Sequence, residues 1–237
     1  MLVESSYNPS QIIEAHQIAI YTLSKYNINK GDKSDLKTIC DELKINVNFI
    51  IDLIHQSDLS RVKVLDTFRY YDLLVLIDYL EKSHIFYKNK LLPKIEQYIN
   101  HIVLLSNNEN KLLSLVKDVF KRFEMSLIEH FYVEEKNLFV YAKYLYHLNK
   151  STFNRYQVMN YVNLFSLEEF QDAHPKTEKD LDLLERALTE LEVFLSDKLV
   201  YNALINTIKD FKRDLELHAI IEDFVLISKV SEMRQKI

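Results

Sequence analysis

The chain is predicted to be all-α: an antiparallel up-down four-helix bundle preceded by a small helical module. Three observations carry this. One Gly and three Pro occur in 237 residues, too few for the turns of a β-sandwich or a nucleotide-binding α/β sheet. Apolar residues recur three and four apart over long stretches, the period of one helix face. Four such stretches, joined by short polar connections, make the pattern of an antiparallel bundle.

The module covers residues 1–60. "NPSQIIEAHQIAIYTLSKY" has helical spacing and ends before "NINKGDKSD", the only Gly-containing turn. "SDLKTICDEL" follows with Ser34 as expected N-cap, then "NVNFIIDLIHQ" with Asn46 in that role. The bundle is assigned to residues 61–237. Its first helix runs from about Tyr70 to "HIVLL", before the polar "SNNEN". The second spans about Lys111–Leu148. The third starts at "SLEEF", where Ser166 and Glu169 have capping-box spacing, and continues to about Leu195. The fourth covers about Val200–Val230.

Composition narrows the function classes. Hydrophobic residues are 48% and charged residues 27%, a globular balance. A net charge of −5 with no basic stripe gives no footprint for nucleic acid. No run of about 18 uncharged apolar residues occurs, and the first residues lack the charge-then-apolar order of a secretory signal, so no membrane association is expected. A single cysteine, Cys40, excludes an internal disulfide and suits a reducing compartment. The expected location is the cytoplasm.

The core stripes contain unexpected polar residues. "HFYVEEKNLF", from His130, is echoed by "HAIIEDFVLI", from His218: each has His, then Glu four residues later, then a second acid. On the second helix Phe123, Leu127, His130, Glu134, Leu138, Tyr141 and Leu145 share one face; on the fourth, Leu204, Ile208, Phe211, Leu215, His218, Glu222 and Val225 do. The first helix places His84 in the stripe Leu73, Ile77, Leu80, Tyr87, Leu91. The third places His174 in the stripe Leu167, Phe170, Thr177, Leu181, Leu184, Leu188. The four histidines are 46, 44 and 44 residues apart, which in an up-down bundle brings them to one height near its middle.

Energetics then favour a metal. A buried carboxylate without a partner costs several kcal/mol, and an unpaired buried imidazole ~1–3. Four histidines and two carboxylates in one layer would be hard to offset in a domain whose net stability is ~5–15 kcal/mol. A metal supplies the positive charge and occupies the lone pairs. Residues four apart lie on one helix face, ~5–6 Å between Cβ atoms, so His and Glu of each step reach one layer. A solitary core histidine is more often hydrogen-bonded to backbone or a neighbour. Two repeated steps and two in-phase histidines are what tip the balance. His16, His55, His101 and His147 lack this context and are assigned to surface or local packing; Glu178, four residues after His174 in a charge-rich stretch, is assigned to solvent. The fifteen tyrosines are read as core edge rather than as a redox relay.

The constellation resembles the hemerythrin-like di-iron proteins, and more narrowly the iron–sulfur cluster repair (RIC) family. Besides the two paired segments, "SHIFYKNKLLP" is similar to that family's first-helix His followed by Leu-Pro. "DAHPKTEKDLDLL" is similar to its third-helix His segment, and the Ser24–Ile54 stretch to its N-terminal module. The resemblance implies two iron ions bridged by Glu134 and Glu222, with His84, His130, His174 and His218 as terminal ligands. It implies repair of iron–sulfur clusters damaged by nitric oxide or oxidative stress, with damaged iron–sulfur proteins, nitric oxide or oxygen as partners. The chain departs from the pattern in three places. It lacks adjacent cysteines in its Gly-containing turn, has Ile at position 85 beside His84, and has Pro175 after His174, where the backbone N–H is lost.

A second reading is an oxygen or nitric oxide sensor or carrier of the hemerythrin type. A third is a structural interaction protein whose histidines only pack. The module carries none of the six candidate ligands; client delivery, homodimer formation or partner contact are the roles open to it. On this reading, residues 61–237 fold and bind metal alone.

Overall fold

A computed structural model of the chain describes residues 2–56, 61–105, 111–150, 166–173, 178–191 and 198–236. Among the described residues the secondary structure is helical and contains no strand. The module forms α1 (Pro9–Ala15), α2 (Ala19–Lys25), α3 (Leu36–Leu43) and α4 (Val47–Gln56), followed by α5 (Arg61–Phe68). Next come α6 (Leu73–Phe86), a π-helical segment π1 (Tyr87–Leu91) and α7 (Leu92–Leu105), consecutive in the chain. The same succession recurs in α8 (Lys111–Val133), π2 (Glu134–Leu138) and α9 (Phe139–Asn149). The third predicted stretch contains α10 (Leu167–Ala173) and α11 (Glu178–Leu191). The fourth contains α12 (Lys198–Ile220), π3 (Ile221–Leu226) and α13 (Ile227–Arg234).

Local side chains set the helix starts. Asn8 caps α1 by accepting from the Gln11 amide, the Gln11 side chain accepts from the Asn8 amide, and Pro9 sits where no donor is needed. At α3 the cap is Asp35, which accepts from the Thr38 amide at 2.8 Å. Ser34, expected in that role, lies one residue too early. Asn46 caps α4 as expected, accepting from the amides of Asn48 and Phe49. Ser166 accepts from the Glu169 amide at 3.2 Å. The left-handed positions are Asn27 and Lys44, both at φ 57°, and not Gly31. Asparagine tolerates that conformation better than most side chains, so the turn after α2 does not need its glycine there.

Tertiary contacts divide the chain into two compact units, Met1–Phe86 with Arg213–Glu232, and Tyr87–Lys212 with Met233–Ile237. The first joins the module to α6 and to the C-terminal part of α12. Its centre is aromatic: the buried Phe49 ring lies 5.6 Å from Phe68, 4.8 Å from Tyr71 and 5.9 Å from Tyr79 between centroids. Edge contacts of this kind add to the area each ring buries. Beside them Lys25 is buried against Asp214, with Nζ 2.7 Å from one carboxylate oxygen and 2.9 Å from the other. Burial pushes the Lys25 amine below its ordinary pKa, while Asp214 works against that shift. The second unit packs Tyr87 against Phe131 and Phe211, and Phe123 against Phe211. Lys212–Asp182, Lys121–Glu96 and Arg234–Glu168 ion pairs lie at its more exposed positions.

The first unit takes in the module together with α6 and part of α12. A chain beginning at Arg61 loses Phe49 from the aromatic centre and leaves Asp214 buried without Lys25. Breaking a buried pair from one side typically costs ~3–5 kcal/mol. Urea unfolding of Lys25→Met is expected to show a loss of that size, and the truncated chain is expected to melt lower still. A loss under ~1 kcal/mol, the scale of an exposed pair, would mean the pair is solvated.

The chain start is held by a histidine. Val3, itself buried, donates its amide to His55 Nε2 at 2.8 Å, so that nitrogen must be unprotonated. Burial and the neighbouring His16 lower the His55 pKa, and Asp52 opposes them. Because the folded pKa is depressed, this contribution is intact above the unfolded value of about 6.5 and is lost as pH falls through the lower folded value. Hydrogen exchange at the Val3 amide is expected to accelerate on acidification below about 6.5, beyond the intrinsic pH effect, in wild type but not in His55→Gln.

Candidate metal centre

All the described apolar members of the four stripes are buried, so the periodicity picked the inward faces correctly. His84, His130 and His218 are buried with them, at 0%, 8% and 2% exposure, as are Glu134 at 0% and Glu222 at 2%. His174 lies outside the described residues, as does the side chain of Glu178. Five of the six predicted ligands are therefore inward, and the sixth has no described position.

In the first unit, α6 supplies His84 and α12 supplies His218, with their Nε2 atoms 3.2 Å apart. Glu222, four residues further and in π3, approaches His218 Nε2 to 3.5 Å. In the second unit, His130 Nε2 lies 2.7 Å from Glu134 Oε1. Two ligand atoms ~2.1 Å from one ion and roughly at right angles are about 3 Å apart. The His–His and His–Glu separations fall around that value. A shared proton gives a similar spacing, so the geometry fits both a ligated and a proton-bridged state. His84, Glu134 and His218 are each buried, and each offers a ligating atom. Imidazole nitrogen with carboxylate oxygen suits iron, manganese or zinc.

The π segments are what sequence reasoning missed. π1 begins three residues after His84, π2 at Glu134 itself, and π3 three residues after His218. In π2 the Glu134 carbonyl accepts from the Phe139 amide, and in π3 the Glu222 carbonyl accepts from the Ile227 amide, five residues on in each case. Each candidate bridging glutamate thus lies in a widened turn and accepts a five-residue hydrogen bond. Such insertions are uncommon and recur at functional sites. One signal was available: His130, Glu134 and Leu138 are spaced four and four, a stretch of the period. On the fourth helix the shift appears only after the site, where Val230 is fully buried and Lys229 is not.

The second acid of each motif has a different role from the first. Glu135 forms a part-exposed ion pair with Lys88 at 3.0 Å, and Asp223 is only half-buried. Cys40 is buried in α3, and burial with nearby Asp41 raises its thiol to about 11. It stays protonated near neutrality and is a poor ligand or nucleophile. The remaining histidines fit local roles. His16 and His55 rings meet edge-on at 6.0 Å, His147 lies against Tyr146, and His101 is exposed. No helix among the described residues is long and apolar enough to cross a membrane.

In comparisons with known proteins, no family model matches the chain and no curated protein matches it.

Adjacent acids should separate in a stability assay. Glu135→Ala and Lys88→Ala are each expected to change unfolding free energy by no more than ~1 kcal/mol, because their pair is partly solvated. A loss above ~3 kcal/mol in urea titrations for either would place that pair in the core instead.

Proposed function

We propose that the chain is a non-heme di-iron protein that acts in repair of iron–sulfur clusters damaged by nitric oxide or oxidative stress. On this reading the long helices form an antiparallel four-helix bundle. His84, His130, His174 and His218 would supply imidazole nitrogens to the metal. Glu134 and Glu222 would supply the carboxylates that hold the ions and balance their charge. The observation that carries the reading is the pair of buried His-x-x-x-Glu steps, each with its glutamate inside a π segment. Burying one such step as a hydrogen-bonded pair is ordinary; repeating it with the same backbone insertion fits a site with two equivalent halves.

The residues themselves impose the chemistry available. Imidazole and carboxylate exclude a soft thiolate site, and burial of both acids favours a divalent or trivalent occupant that balances their charge. Bound iron would supply a redox-active centre for nitric oxide or oxygen and a source of iron for a damaged cluster. The sensor or carrier reading needs the same ligands and differs in outcome. Reversible oxygen binding by the reduced protein supports a carrier. Restored activity of a nitric-oxide-damaged cluster enzyme supports repair.

Metal analysis of untagged protein, after anaerobic reconstitution with ferrous iron, is expected to give about two iron atoms per chain, the count implied by a ligand set of this kind. Glu134→Ala and Glu222→Ala should each lose most of it, whereas Glu135→Ala and Asp223→Ala should retain it. Equal content in all four variants would assign the repeated motif to packing.

Removing metal is expected to lower the melting temperature at matched pH. An occupant at 100 times its Kd stabilises the fold by ~2.7 kcal/mol, so the shift should be several degrees and should grow with free metal. Coincident melting curves with and without ferrous iron would count against ligation by the buried acids.

A further inference from the structure

Among the described residues of the N-terminal module, Lys25 is the buried charge that reaches the histidine-bearing helices. Its ammonium donates to Asp214 on α12 and to the Tyr79 hydroxyl on α6 at 3.3 Å, and it lies 4.7 Å from the centre of the Tyr79 ring. Asp214 and His218 are four residues apart on α12, both buried, and so share one helix face. The Tyr79 ring meets both the module and the histidine. Its centroid is 5.9 Å from that of Phe49 and 6.3 Å from that of His218. The Ser83 hydroxyl donates to the Tyr79 carbonyl within α6, next to His84. A lysine buried this deeply is uncommon, since desolvating the ammonium must be offset by its partners.

We propose that Lys25 is a positioning residue for His218. By tying Asp214 and the Tyr79 hydroxyl to one point, it holds the turn of α12 that carries the imidazole and the aromatic wall beside it. The module thereby orients a candidate ligand without supplying one. This gives the cysteine-poor module a role at the site that its own residue types do not advertise. Partners that hold a metal-ligating histidine in place commonly change metal affinity by 10–100-fold when removed. The functional weight of the placement rests on His218 being a ligand; the placement itself does not.

The test uses full-length protein labelled at histidine, with ring ¹H–¹⁵N correlations recorded in the metal-free state and ferrous iron affinity measured separately. Lys25→Met removes the ammonium that pairs with buried Asp214 and is expected to be poorly stable. The double variant Lys25→Met/Asp214→Leu removes both charges and is expected to recover stability, as loss of a whole buried pair often does. In that double variant the His218 ring resonances should shift or broaden while those of His130 stay in place. Its iron affinity should fall 10–100-fold. Lys25→Arg, which keeps the charge, should move His218 less than the double variant does, and Lys37→Met, on the module surface, should change nothing. If the double variant folds with wild-type His218 resonances, Lys25 is only a stability element and the proposal fails. If wild type takes up no iron but His218 still moves, the metal reading falls and the positioning role stands.

Discussion

Everything near the candidate site follows from one constraint: charged and polar side chains have been placed where helices pack. Glu134 and Glu222 are as buried as the leucines and phenylalanines around them, and each lies against a histidine. An ionised carboxylate in such surroundings must find a hydrogen-bonding proton or a cation, or else neutralise. The histidine four residues before each acid is the nearest source of either. Helix geometry makes that source available at no cost in chain length, because positions four apart already face the same way. The apolar stripe then serves two ends. It holds the helices together, and it keeps water from competing for the polar layer.

The π segments show how the backbone accommodates this layer. An α-helix advances its stripe by 3.6 residues per turn, so an inward His and the Glu four positions later drift apart in angle. Opening the turn to five-residue hydrogen bonding adds a residue and resets the phase. Beyond π1 the buried positions are Leu92, Ile95, Ile99 and Ile102; beyond π3 they are Ile227 and Val230. Ile95, Ile99 and Val230 each fall one residue later than an unbroken stripe would place them. The insertion costs regular hydrogen bonding, and what it achieves is local.

This explains which parts were legible in the sequence. Helical stripes depend on local periodicity, so Leu204 through Val225 could be read off directly and every member is buried. Caps depend on a choice between neighbours. At "SD", Ser34 and Asp35 are both good N-caps, and only the dihedral angles select Asp35. The π segments are weaker still, because one extra residue in a turn leaves a pattern that an α-helix can nearly match. Lys25 was invisible for another reason. Its partner Asp214 is 189 residues away, and a lysine at the end of a short helix ordinarily points to water. Long-range pairing of charges leaves no period to read, so the module looked separable when its most buried cation was committed elsewhere.

The doubled acids finally acquire a physical meaning. In "VEEK" and "IEDF" the first acid is buried, while the second is half-exposed, where Glu135 meets Lys88. Adjacent helix residues point about 100° apart, so one cannot substitute for the other. A solvated second acid can hold a lysine at the rim for little free energy either way. Its presence beside the buried one adds negative charge just outside the apolar shell, favouring a cation inside it by an interaction less screened than between groups in water. Two acids in sequence are thus not redundancy. They are a buried charge that needs a partner and an outer charge that biases which sign that partner carries.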